Sequence, residues 1–281
     1  MIIYKKTFEN IKTLDCNFPI EDCYYADGNM AIVSDGITRD PIGIPDLSKA
    51  SFSQMVEKYP RPSGGALAAK TITDTFCDSK EETSLKELLI QANKNVKKLN
   101  EKYIKECDYL ENDYYGAVAS CAKITGNKLE YAYICDCGVL VYDEYGNIKF
   151  QTEDDKALVD PYINNIGIPW YLPDARKIVR KDYRNQPDKV ENGRCVSYGA
   201  LTGEEKAEIF IKEGSLKIED TDLVVVYSDG FTEYFKRRDF YPMIKDWEEK
   251  KFTSYVEKLS VEDYEKYGKE KTLVLMRMGE K

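Results

Sequence analysis

Histidine does not occur in this chain. Its absence removes Ser-His-Asp and Cys-His nucleophile systems, His-Glu-x-x-His zinc hydrolases and phosphohistidine chemistry, each of which needs an imidazole. Neither Gly-x-x-x-x-Gly-Lys-Ser/Thr nor Gly-x-Gly-x-x-Gly occurs, and no cysteine is followed six positions later by arginine. Nucleotide-cradling loops and cysteine-dependent phosphatase loops are therefore excluded. Cys-x-x-Cys pairs are missing too. The eight cysteines, at positions 16, 23, 77, 107, 121, 135, 137 and 195, are scattered, which argues for reduced, mostly buried thiols rather than a zinc ribbon or a disulfide framework. No apolar run approaches the length of a membrane span and the N-terminus does not read as a signal peptide, so a cytoplasmic protein without a membrane partner is expected.

Acid is in excess. A formal net charge of −9 argues against a nucleic-acid surface, which needs clustered Lys and Arg. Two short basic pieces, Arg176 to Arg184 and Lys236-Arg237-Arg238, read as solvated loop charges, with a phosphate-holding patch as the alternative. With 281 residues, 42% of them hydrophobic, a sizeable core can form, and without linker or repeat a single domain over 1–281 is expected.

Three apolar runs each end on an acidic residue in a turn: Ala31 to Asp35-Gly36, Tyr131 to Asp136, and Leu223 to Asp229-Gly230. One Asp-Gly turn is ordinary turn chemistry. Three such ends, set side by side by a sheet, make a carboxylate cluster of the kind that hard divalent cations require.

Periodicity predicts strands at 22–27 and 29–35, a Pro- and Gly-rich loop from Arg39 to Pro62, and a helix near 64–77. A long helix follows, opened by the capping box Ser84-Leu85-Lys86-Glu87 and carrying an apolar stripe through Leu110. A β meander fills Gly116 to Gln151, with turns at Thr125-Gly126-Asn127 and Tyr145-Gly146-Asn147. From about 152 to 202, four prolines interrupt the pattern and an irregular insertion is expected. A short helix at 203–213 ending at Gly214, a strand at 222–228, a helix at about 240–258 and a strand from Thr272 to Met278 complete the chain.

In this order the motifs resemble the metal-dependent serine/threonine phosphatases, the PPM or type 2C family, over almost the whole chain. Glu21-Asp22 is similar to that family's early Glu-Asp pair, and Ile32-Val33-Ser34-Asp35-Gly36 to its first metal-binding Asp-Gly. Gly64-Gly65-Ala66-Leu67-Ala68-Ala69 resembles the start of its first long helix. Gly116-Ala117-Val118-Ala119 sits at its Gly-Ser/Thr-Thr strand, and Cys135-Asp136-Cys137 at its Gly-Asp-Ser turn. The most specific piece, Tyr227-Ser228-Asp229-Gly230-Phe231-Thr232-Glu233, resembles the Ser/Thr-Asp-Gly-x-Thr-Glu motif of bacterial members.

The resemblance implies an α+β fold, a four-layer sandwich of two antiparallel sheets flanked by helices. It also implies two Mn²⁺ or Mg²⁺ ions that activate water for hydrolysis of phosphoserine or phosphothreonine in a phosphorylated protein substrate. By the same resemblance Asp35 bridges the ions, the Gly36 carbonyl and Asp229 assist, Asp136 and Glu233 support a weaker site, and Asp22 orients metal-bound water.

Three places depart from the pattern, one of them the missing second glycine after Asp35-Gly36, where Ile37-Thr38-Arg39-Asp40 stands. Asn17 stands where the family has a phosphate-gripping arginine, and Lys269 where it has a final metal-binding aspartate. A neutral amide makes no bidentate phosphate contact, and an ammonium group repels a cation. Arg39 and Glu270 are the nearby residues able to take over, Arg39 as the substrate-binding group and Glu270 as the metal ligand. An active phosphatase is the leading expectation. A pseudophosphatase that binds a phosphoprotein without hydrolysis is the alternative, and an unrelated sandwich with structural Asp-Gly turns is the third.

Overall fold

The computed structural model describes residues 1–9, 19–37, 54, 57, 59–79, 83–103, 109–110, 114–168 and 173–278. One sheet runs in the order β1 (Ile2–Phe8), β12 (Lys271–Arg277), β11 (Leu223–Tyr227), β6 (Gly138–Tyr142) and β7 (Ile148–Gln151). The other runs β10 (Lys212–Lys217), β5 (Lys128–Ile134), β4 (Ala117–Thr125), β3 (Met30–Gly36) and β2 (Cys23–Asp27). A short ribbon pairs β8 (Val190–Glu191) with β9 (Arg194–Cys195).

Alternation along the central strands builds three apolar layers. Val224 and Val226 of β11, Val139 and Val141 of β6, and Ala31 and Val33 of β3 meet between the sheets. Leu223, Val225 and Tyr227 turn outward into an aromatic layer with Phe231, Phe240 and Phe252. Ile32 of β3 turns outward on the other side against α1 (Gly64–Cys77) and α2 (Leu85–Tyr103). Because both faces of these strands are buried, they read as continuous apolar runs. The capping box forms as its sequence predicts: Glu87 N donates to Ser84 Oγ at 3.2 Å and Ser84 N to Glu87 Oε2 at 3.1 Å. The outer helices on the aromatic side are α5 (Thr232–Phe235), α6 (Phe240–Lys245), α7 (Glu249–Glu262) and α8 (Tyr264–Tyr267), preceded in the chain by α3 (Asp155–Asn164) and α4 (Pro173–Ile178).

Several expectations differ from the structure. The helix expected at 203–213 is a 3₁₀ turn, Glu205–Phe210, followed at once by β10. Gly214 is not a helix end but a mid-strand residue on which the Tyr131 ring rests, with room for no side chain. The helix expected at 240–258 is divided into α6 and α7 around Asp246-Trp247-Glu248. β1 lies at a sheet edge with half-buried residues of no clean alternation. Arg176, Arg180 and Arg184 are buried rather than solvated, carried by α4, a π-turn at Val179–Tyr183 and a bridge from Arg184 to Tyr198.

Candidate functional site

Antiparallel pairing assembles one acidic rim. Cys23 of β2 pairs Ser34 of β3, so Glu21 and Asp22 enter the sheet beside Asp35 and Gly36. Tyr227 of β11 pairs Leu273 of β12, which brings Ser228-Asp229-Gly230 against Lys269-Glu270-Lys271. The Cys135-Asp136-Cys137 turn steps between the sheets, linking β5 to β6. Cys135 takes a φ of 71°, a left-handed conformation costing a non-glycine residue about 1 kcal/mol or more. Glycine is required where backbones touch: a Cβ on Gly230 would lie 2.0 Å from the Glu270 carbonyl oxygen, and one on Gly36 would lie 2.6 Å from the Gly65 carbonyl carbon.

Around Asp22 the carboxyls are held by hydrogen bonds. Ser228 Oγ donates to Asp22 Oδ2 at 2.7 Å and itself accepts from the Thr272 amide at 2.9 Å. Burial pushes Asp22 up to about 7, although the Thr272 and Ser228 contacts oppose it. Burial, then the charges of Asp22, Asp229, Asp136 and Glu270, push Asp35 well above the usual carboxylate range. Glu270 Oε1 accepts the Glu21 and Asp22 amides at 2.7 and 2.6 Å. Burial and the neighbouring Asp22 push the Glu270 carboxyl up to about 8. Glu21 is clamped in turn, its Oε1 accepting from Tyr59 OH at 3.1 Å and from Ser63, the N-cap of α1.

Around Asp136 and Asp229 the partners are lysines. Lys269 Nζ donates to Asp229 Oδ2 at 2.8 Å, and Lys156 Nζ to Asp136 Oδ2 at 3.1 Å. Burial alone would raise Asp229, but Lys269, Lys156 and Lys271 outweigh it and hold that carboxyl below its usual range. Asp229 in turn holds Lys269 above its ordinary value, and Asp136 holds Lys156 well above. Lys271 is fully buried, with Nζ 5.9 Å from the Phe8 ring centre and 5.8 Å from that of Tyr234, and burial pulls it down to about 8. A cleft of about 180 Å³ opens beside these pairs, lined among others by Asp136, Lys156, Asp229, Glu233 and Lys269. Glu233 at its edge is ion-paired with Lys236 and, at 3.7 Å, with Lys266.

Asp22, Asp35, Asp229, Asp136 and Glu270 thus stand at one rim, with Glu233 bordering it. Asn17 and Arg39 lie outside the described residues. Lys156, Lys271 and the Tyr59-Ser63 clamp on Glu21 were missed by the sequence reading. Lys156 is a lone base in an acidic stretch, and the clamp joins residues about 40 apart in sequence, so neither leaves a local signal.

A divalent cation needs several oxygens converging on one point. Among the described residues no three acidic or thiol side chains do so. Two of the aspartates each have an oxygen committed to an ammonium group, and Glu270 has one committed to two amides. The residues in this arrangement do not fit a pair of divalent ions.

No family model matches the chain, and no curated protein matches it in sequence. Solved structures do match. The serine/threonine phosphatase PstP/Ppp of Mycobacterium tuberculosis superposes with a TM-score of 0.61 at 15% identity, with 99% of each chain covered. The S. agalactiae serine/threonine phosphatase gives 0.59 at 14% identity, over 99% of this chain and 100% of its own. The PstP catalytic domain in complex with two manganese ions gives 0.59 at 14% identity, over 98% and 96%. The fold is that of the PPM-type serine/threonine phosphatases. The PPM fold explains why the three apolar runs end together, since its two sheets share the rim. Among the described residues no helix is long and apolar enough to cross a membrane.

Proposed function

We propose that this chain recognises phosphoserine or phosphothreonine on a protein partner in the cytosol, as a PPM-fold module whose hydrolytic centre is impaired. What supports the partner class is the fold, which is that of solved serine/threonine phosphatases. The impairment follows from one observation, the 2.8 Å contact between Lys269 Nζ and Asp229 Oδ2. An ammonium group there occupies a carboxylate lone pair and adds a positive charge that disfavours a second cation close by. Lys156 repeats the arrangement on Asp136.

Metal-dependent hydrolysis is the second reading, with Mn²⁺ or Mg²⁺ supplying an activated water when bound. What favours it is that Asp22 and Asp35 sit at the ends of adjacent strands and, among the described residues, neither is ion-paired to a lysine. Sequence alone put this reading first, and the fold supports it as well; the lysine contacts are what favours the impaired reading.

The test is to incubate purified protein with a phosphothreonine peptide across a Mn²⁺ titration, measuring released phosphate and bound peptide, with Asp229→Asn in parallel. Binding without turnover is expected. Metal-dependent turnover lost in Asp229→Asn would establish the hydrolase instead, and absence of both binding and turnover would remove the phosphopeptide from the account.

A further inference from the structure

We infer that Lys269 and Lys156 are built-in counter-cations, their ammonium groups neutralising Asp229 and Asp136 in place of a divalent ion, so that the acidic rim closes without metal. This rests on the premise that the rim is not a working two-metal centre. Five carboxyl groups, those of Asp22, Asp35, Asp136, Asp229 and Glu270, crowd one partly buried edge, and such crowding requires compensation by protons or cations.

Both lysines are delivered by anchored backbone. Asp155 N donates to the Cys135 carbonyl at 3.3 Å, tying the start of α3 to the turn that carries Asp136. The Asp155 side chain is bridged to Lys212 of β10 at 2.6 Å, and Asp154 Oδ1 caps the helix by accepting from Ala157 N at 3.0 Å. Lys156 lies between these fixed points and reaches back to Asp136. Lys269 is held equally firmly. Gly268 N donates to the Tyr264 carbonyl at 2.8 Å on one side, and on the other the Glu270 carboxyl grips two amides across the rim. The anchored backbone sets both lysines within reach of the carboxylates they contact.

The test needs no substrate. Mn²⁺ is titrated into wild-type protein, Lys269→Asp and Lys269→Gln, reading free Mn²⁺ by its electron paramagnetic resonance signal and the thermal midpoint by circular dichroism. Wild-type protein is expected to leave the Mn²⁺ signal undiminished at millimolar metal and to shift its midpoint by less than about 1 °C. Lys269→Asp should bind Mn²⁺ and gain several degrees at saturating metal, because a ligand bound only by the folded state raises its stability. Lys269→Gln, which removes the charge without adding a ligand, should fall between them. Stoichiometric Mn²⁺ binding by the wild type, with affinity equal to that of Lys269→Asp, would overturn the inference. The wild-type titration decides the matter even if Lys269→Asp fails to fold, since tight binding there sinks the idea and silence supports it. No phosphopeptide enters the measurement, so failure of the proposed partner class would leave this result standing, and the reverse.

Discussion

On the β2–β3 side of the rim, Asp22 and Asp35 make no ion pair with a lysine among the described residues, and burial pushes both carboxyls above the usual carboxylate range. On the β11 side, Asp229 is as much a part of the same crowded edge, yet it is held below the usual carboxylate range by Lys269, Lys156 and Lys271. The residue type is the same and so is the edge; what differs is whether an ammonium group is in direct contact, as Lys269 is with Asp229. Carboxylates drawn together by strand ends thus have two outlets besides metal, a proton, which burial favours at Asp22 and Asp35, or a lysine, as at Asp229 and Asp136.

The contrast breaks most severely if the backbone that holds the two sides together is disturbed. Gly230→Ala places a methyl group 2.0 Å from the Glu270 carbonyl oxygen, and overpacking against backbone should cost about 3 kcal/mol, read as a lowered urea midpoint at unchanged slope. Glu270→Ala is next. It strips two amides of their acceptor and should cost about 2 kcal/mol, with Glu270→Gln recovering part because its amide oxygen still accepts.

Titration sharpens the comparison. The folded-state values of Asp22 and Glu270, about 7 and about 8, lie above those of an unfolded chain. The folded protein therefore holds protons that the unfolded chain releases; the stabilisation is fully present below the unfolded values and is lost as pH rises through the folded ones. Unfolding free energy should fall by at least about 1 kcal/mol between about pH 6 and pH 8.5, and Asp22→Asn should flatten the slope. A flat wild-type profile would mean the two carboxyls are not held neutral. Asp229 runs in the opposite sense, its contribution present above the unfolded value and lost in acid through its lower folded value. The smallest effect belongs to Lys269→Met. Because the Lys269 side chain is 49% exposed, solvent screens the pair, and the loss should be under about 1 kcal/mol and shrink further in salt.

Much of this was legible in the sequence. The β3 and β11 runs could be read because burial on both faces leaves an apolar stretch up to Ser34 and Ser228, and the Asp-Gly turns mark where those runs stop. Lys269 stood out as a base at a position where acid was expected. The edge strands were harder. β10, Lys-Glu-Gly-Ser-Leu-Lys, is polar because one of its neighbours is solvent, and its glycine imitates a helix stop. The role of Glu270 was invisible, since its two amide contacts span nearly the whole chain. Lys156 was hidden for a similar reason: its partner Asp136 lies across a turn and a strand pair, and only the folded α3 brings them together.

The most direct test of the central claim is a crystal structure of the wild-type protein grown with Mn²⁺ and read by anomalous scattering. The account predicts no manganese peak between Asp229 and Asp136, with Lys269 Nζ still in contact with Asp229 Oδ2. A manganese ion bound there, with Lys269 swung away into solvent, would contradict it.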